Sequence, residues 1–176
     1  LDQQSLVHRA PVAELAVALS ITGLLRPTTQ CIGSYLTPLL AQKYATGGRK
    51  AVLAAGLVAA RFVGSGSVAF VGFIAVAGVY LSKVVYAVPH IDRRVLTLVA
   101  LSVALEAIAV VLRANVRAIH EPHQETLAAV VGATAGFAIA AVLIPLMAAR
   151  GAALALAGSQ LAFVLTCGLR IRSSVR

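Results

Sequence analysis

From Thr126 to Ala149 the chain runs 24 residues without a charge. At about 1.5 Å per residue a helix of that length exceeds the ~30 Å hydrocarbon core of a bilayer. Phe62 to Ser82 adds 21 uncharged residues and Gly151 to Leu169 another 19. Val95 to Leu112 is interrupted only by Glu106, and Arg26 alone separates Leu15–Leu25 from Pro27–Gln42. None of these runs alternates strictly, and all are too long for barrel strands, so they read as helices. The fold class is therefore all-α. It is a polytopic membrane bundle of five transmembrane helices at about 11–44, 51–88, 92–118, 123–148 and 151–171, forming one domain.

The composition closes off the soluble alternatives. Hydrophobic residues make up 60% of the chain and charged residues 12%, too few polar groups to cover the surface of a water-soluble domain. The net charge of +9 does not point to nucleic acid, because the basic residues sit in short clusters between apolar runs without interleaved aromatics. They read as topology signals instead. Lys43, Arg49, Lys50, Arg113, Arg117, Arg170, Arg172 and Arg176 fall on one side, against Arg9, Lys83, Arg93, Arg94 and Arg150 on the other. That bias places the C-terminus in the cytoplasm and the N-terminus outside. Cys31 and Cys167 lie in apolar runs without a CxxC partner and read as small buried or lipid-facing residues.

The connections are short. "ATGGRK" (Ala45–Lys50), "VPHIDRR" (Val88–Arg94), "IHEPHQE" (Ile119–Glu125) and "AARGA" (Ala148–Ala152) carry the glycines, prolines and charges of helix ends at the water boundary. The first helix is longer than a perpendicular span requires, and Pro27 and Pro38 are its expected bend sites. The stretch 51–61 is expected to run along the interface before the chain turns in.

Few side chains break the apolar pattern, and those are the candidate site. Arg26 lies mid-span, where a charge costs about 2.5–3.5 kcal/mol. It faces a cavity or a partner, or else snorkels from a tilted helix. Gln30 follows one turn later, with Gly33 and Thr37 beyond; together they could line a polar groove that meets a pyrophosphate or acidic sugar. Glu106 is the only acid well inside a span. It pairs with Arg26 or Arg61, fixes helix packing, or couples transport to protons or sodium. Arg61 and Arg113 lie near span ends and read chiefly as interface anchors, with Arg61 also kept as a groove candidate. Gly132 and Gly136 form a GxxxG that lets two helices approach, and Gly151 follows Arg150 at a hairpin. His120 and His123 are too few for a metal site, and no phosphate loop, nucleophile elbow or zinc motif is present. No cofactor, metal or enzymatic activity is expected.

Two stretches resemble a known family. "YLTPLLAQKYATGGRKAVLAA" (Tyr35–Ala55) is similar to a Pro-Leu-Leu-Ala-x-x-Tyr-Ala-x-Gly segment of polysaccharide flippases. Val111–Arg172, with Ile144, Pro145, Arg150, Gly151, Ala152, Ala153 and Ala155, resembles the last two spans of the same family. This is the polysaccharide and lipid-linked oligosaccharide flippase family of the MOP (multidrug/oligosaccharidyl-lipid/polysaccharide) exporter superfamily. In "IHEPHQE" acids and histidines stand where the family is mostly basic. The resemblance implies the C-terminal bundle of a two-bundle transporter in the bacterial cytoplasmic membrane, moving a lipid-linked glycan by alternating access for lipopolysaccharide or exopolysaccharide biosynthesis. Its partners would be membrane lipids, the glycan substrate and an N-terminal bundle of the same chain. An odd number of spans starting outside, with neither initiator Met nor signal peptide, gives the same expectation of a piece of a longer protein. The alternatives are a cation-coupled multidrug antiporter of the same superfamily and a non-transporting membrane assembly subunit.

Overall fold

A computed structural model describes residues 3–86 and 91–173, with side chains from 12 to 86 and 91 to 171. Arg176, Ala87 and residues 88–90 of the "VPHIDRR" loop lie outside the described residues, as do the side chains of Arg9 and Arg172. Five helices account for the described chain: α1 (Gln3–Gly23), α2 (Arg26–Tyr86), α3 (Arg93–Ala118), α4 (Pro122–Met147) and α5 (Ala149–Ser173). Among the described residues there is no strand. By length and composition α2, α3, α4 and α5 can each cross a membrane; the apolar part of α1, Val12–Gly23, is shorter than a span.

The stretch 11–44 is not one helix. It breaks at Leu24–Leu25, between α1 and α2. Pro27 explains the position. It has no N–H to offer the Gly23 carbonyl, and its ring collides with that carbonyl in a continuous helix. The chain tightens instead, with the Leu25 N–H on the Thr22 carbonyl (3.2 Å), and restarts with the Thr29 N–H on the Leu25 carbonyl (3.0 Å). Pro38 lies inside α2 without interrupting it.

Nor is there a loop at 45–50. A single residue, Gly48 (φ 63°), divides α2 into rods 26–47 and 49–86. Leu25 and Thr29 share a wall with Gly66 and Ser67, while Ile32 and Leu36 share one with Ala59 and Phe62. Numbers fall along one rod as they rise along the other, so α2 is an antiparallel hairpin. A positive φ is where glycine costs least. The stretch 51–61 is therefore part of this hairpin and not an interfacial segment: Gly56 packs directly against Asn115 of α3.

α3 is the spine. It packs against α2 on one side and α5 on the other, whereas α4 packs almost wholly on α5 and α2 touches neither α4 nor α5. Val95, Leu96 and Val99 at one end of α3 bury with Ala18 and Ile21 of α1, Ile74 of α2 and Ala153 of α5. Val111, Ala114 and Ala118 at its other end bury with Leu36, Leu40, Val52 and Val63 of α2. Ala109 and Val116 pack with Ala128 of α4 and with Phe163 and Cys167 of α5.

Helix ends follow local chemistry. Asp92 caps α3, its carboxylate accepting the Arg94 N–H at 2.9 Å. Pro122 opens α4, where a missing N–H costs nothing. Between α4 and α5, Ala148 takes φ 46° and Gly151 sits against the Leu143 carbonyl with no room for a side chain. Farther along the same pair, a Cβ on Gly132 would come within 2.9 Å of the Ser159 carbonyl, and one on Gly136 within 2.8 Å of the Ser159 Cβ. Backbones this close gain van der Waals contact that lipid cannot match. The outward faces keep large apolar side chains, among them Phe137 and Leu146 of α4 and Phe62 and Val76 of α2. Hydrocarbon is the solvent that accepts such a surface.

Candidate functional site

The first rod of α2 and the helix α3 run side by side in the same direction, with Val110 against Gly33. They do not close on one another. A groove of about 420 Å³ opens between them, lined by Gln30, Gly33, Ser34 and Thr37 on α2 and by Val110, Arg113, Ala114 and Arg117 on α3. Both sets recur at helical spacing, so each is one face of its helix. Other clefts, such as those lined by Ile32, Tyr35 and Phe62 or by Val68, Val71 and Leu101, are apolar.

The α2 wall supplies acceptors. The Ser34 hydroxyl donates to the Gln30 carbonyl (3.0 Å) and the Thr37 hydroxyl to the Gly33 carbonyl (2.9 Å). Those protons are committed, and lone pairs remain. Gln30 adds an amide with both donors and acceptor. The α3 wall supplies cations. The Arg113 guanidinium lies 4.5 Å from the centroid of the Phe163 ring on α5, a cation–π contact that holds it without neutralising it. Arg117 meets Glu125 of α4 through two bonds of 2.7 Å, from Nε and Nη2, the bidentate geometry in which arginine binds a carboxylate best.

One turn beyond the groove, Arg26 and Glu106 face one another, Nε to Oε2 at 3.9 Å. Glu106 stands at the middle of α3, about 20 Å from either end of the helix. Arg26 begins α2, directly after the break that Pro27 imposes. The pair is only half covered: the Arg26 side chain is 54% exposed. A charge left open at mid-depth requires a water-filled space or another protein surface beside it.

Each sequence-derived candidate now has a place. Arg26 and Glu106 are brought together, and Gln30 lines the groove beside them. Arg61, on the second rod of α2, is exposed and does not line that groove. Gly132, Gly136 and Gly151 lie in the α4–α5 contact. Arg113 and Arg117 are the residues that sequence reasoning left at the interface. Their signal was present: Glu106, Val110, Arg113 and Arg117 repeat the spacing of Arg26, Gln30, Gly33 and Thr37.

Two further polar clusters tie the ends. At the Gly48 end, Arg49 reaches Glu121 (3.6 Å), and the His120 ring meets Tyr44 edge-on with centroids 5.6 Å apart. At the other end Asp92 pairs with Arg150 of the α4–α5 turn. Partial burial pushes the Asp92 carboxyl up, but the Arg94 N–H and the Arg150 guanidinium outweigh it and hold it below the usual carboxylate range. Asn115 is buried inside the bundle. Its Nδ2 donates to the Val111 carbonyl (2.9 Å), and its Oδ1 has no hydrogen-bond partner among the described residues. Among the described residues no three His, Cys, Asp or Glu side chains gather as metal ligands would.

Compared with known proteins, the chain matches no family model, no curated protein and no solved structure.

Proposed function

We propose that this bundle is half of a carrier that moves a lipid-linked oligosaccharide or polysaccharide precursor across the bacterial cytoplasmic membrane, its C-terminus in the cytoplasm. The groove carries the reading. A membrane protein built of apolar rods keeps two arginines, a glutamine and two hydroxyls along one crevice, with a third arginine one turn beyond it at mid-depth, and the crevice runs from there toward one end. Guanidiniums beside hydroxyl and amide groups match a phosphate linked to sugars. A lipid tail left in the bilayer would slide along the apolar outer faces. Small-residue contacts between α4 and α5, and a broken first pass, suit bundles that must shift against one another. The resemblance of Tyr35–Ala55 and Val111–Arg172 to polysaccharide flippases supports the same substrate class.

The test uses the complete chain, as its full reading frame encodes it, in proteoliposomes. Wild type should move a fluorescent polyprenyl-diphosphate sugar between leaflets. Arg113→Gln should lower the rate at least tenfold at equal incorporation, and Arg113→Lys should recover part of it. Equal rates for wild type and Arg113→Gln would overturn the reading.

A further inference from the structure

Of the three arginines along the crevice and the turn beyond it, two are met by acids of the protein itself. Glu106 faces Arg26 at one limit, and Glu125 grips Arg117 at the other. Between them Arg113 rests on an aromatic ring; among the described residues it has no ion pair. Along the groove and the turn beyond it, one of these three positive charges therefore has no carboxylate of the described residues beside it. Both paired arginines nonetheless remain open to an incoming ligand: Arg26 is 54% exposed and Arg117 56%. The two acids also come from different elements, α3 and α4, so the pairs do not belong to one rigid turn.

We infer that Glu106 and Glu125 are built-in counter-anions, which a doubly charged phosphate headgroup displaces from Arg26 and Arg117 when it enters the groove. The inference rests on the proposed carrier function and adds its regulation. A monoanion is satisfied by Arg113 alone and leaves both pairs intact. A diphosphate diester brings two charges and needs a second guanidinium. It obtains one only by competing with a carboxylate for the same N–H groups. The 3.9 Å Arg26–Glu106 contact is long for an ion pair and has no accompanying hydrogen bond. It is the one to part first. Releasing it frees the start of α2 beside the Pro27 break, so headgroup binding is linked to the most deformable point of the first pass. Glu125 is shared between Arg117 and the first turn of α4; letting it go loosens α3 from α4 at the Gly48 end.

The experiment measures binding of a short-chain polyprenyl diphosphate-linked sugar, a diester with two charges, and of the matching monophosphate-linked sugar, a diester with one, to the detergent-solubilised full chain. Removing a competing carboxylate should strengthen diphosphate binding. Glu106→Gln and Glu125→Gln should each tighten it about three- to fivefold, in line with an exposed ion pair, and leave the monophosphate within twofold. Glu125→Gln, at the bundle's edge, keeps the test decisive if Glu106→Gln does not fold. If Arg113→Gln abolishes binding while neither glutamine variant tightens it, the counter-anion role is wrong and the anion groove stands. If no protein binds either probe, the carrier reading falls together with it.

Discussion

Ala148 is one of two described non-glycine residues with a positive φ. Its φ of 46° and ψ of −117° resemble the first corner of a type II′ turn, a conformation that glycine fills without a Cβ clash. Ala148→Gly should stabilise the protein by about 1 kcal/mol, read as a higher midpoint of thermal unfolding in detergent; a lower midpoint would contradict the strain. Gly151 is the converse case. A methyl there meets the Leu143 carbonyl, which belongs to the α4 backbone and cannot swing away. Gly151→Ala should therefore cost about 2 kcal/mol or more and loosen the hairpin. Asp92, at the same end of the bundle, gives a pH signature. Its folded pKa lies below the usual value, so its contribution to stability is present above the unfolded carboxylate pKa, near 4. That contribution is lost as pH falls through the depressed folded value. Stability of wild type should drop as pH falls below about 4, and Asp92→Asn should flatten that part of the curve. An unchanged slope in the variant would show that the caps of α3 and Arg150 do not depend on this carboxylate.

At the scale of elements, long uncharged runs were legible because lipid imposes a length and forbids charge, and both leave marks in a one-dimensional string. Helix starts at Asp92 and Pro122 were marked by capping residues for the same reason. The break at Leu24–Leu25 was half legible. Pro27 named its place, yet nothing local distinguished it from Pro38, which α2 absorbs. The Gly48 hairpin was less so: one positive-φ glycine does what the six residues of "ATGGRK" appeared to be needed for. The groove was half legible as well. Arg26 and Gln30 stand out against their neighbours, but Arg113 and Arg117 look like boundary charges until α3 is set beside α2. The α4–α5 contact carries its own prediction. Gly132 and Gly136 permit backbone approach against Ser159 and Phe163. Gly136→Leu should separate the two helices and destabilise by about 2–3 kcal/mol, while the same change at Gly64, where nothing lies within 4 Å, should be nearly neutral. Equal effects at the two sites would mean that the close approach contributes nothing.

The whole molecule is lopsided, and the lopsidedness has a cause. α3 is buried from both sides, whereas α2 and α4 present most of their apolar surface outward and never meet. In water such an object would collapse or aggregate. In a bilayer the outward faces are solvated by acyl chains, but the open crevice with its mid-depth charges is not. The two surfaces should therefore report different solvents. A spin label at position 137 of α4, where Phe137 is 78% exposed and close to the middle of the helix, should collide readily with dissolved oxygen and rarely with a water-soluble nickel chelate. A label at position 34, on the groove wall at comparable depth, should show the reverse, because Ser34 shares its crevice with Arg113 and Arg117. Hydration there is what allows arginine to stay charged so far from the membrane surface. Oxygen-dominated collisions at both positions would place the groove against lipid, leaving Arg26 and Arg113 without a medium able to hold their charge.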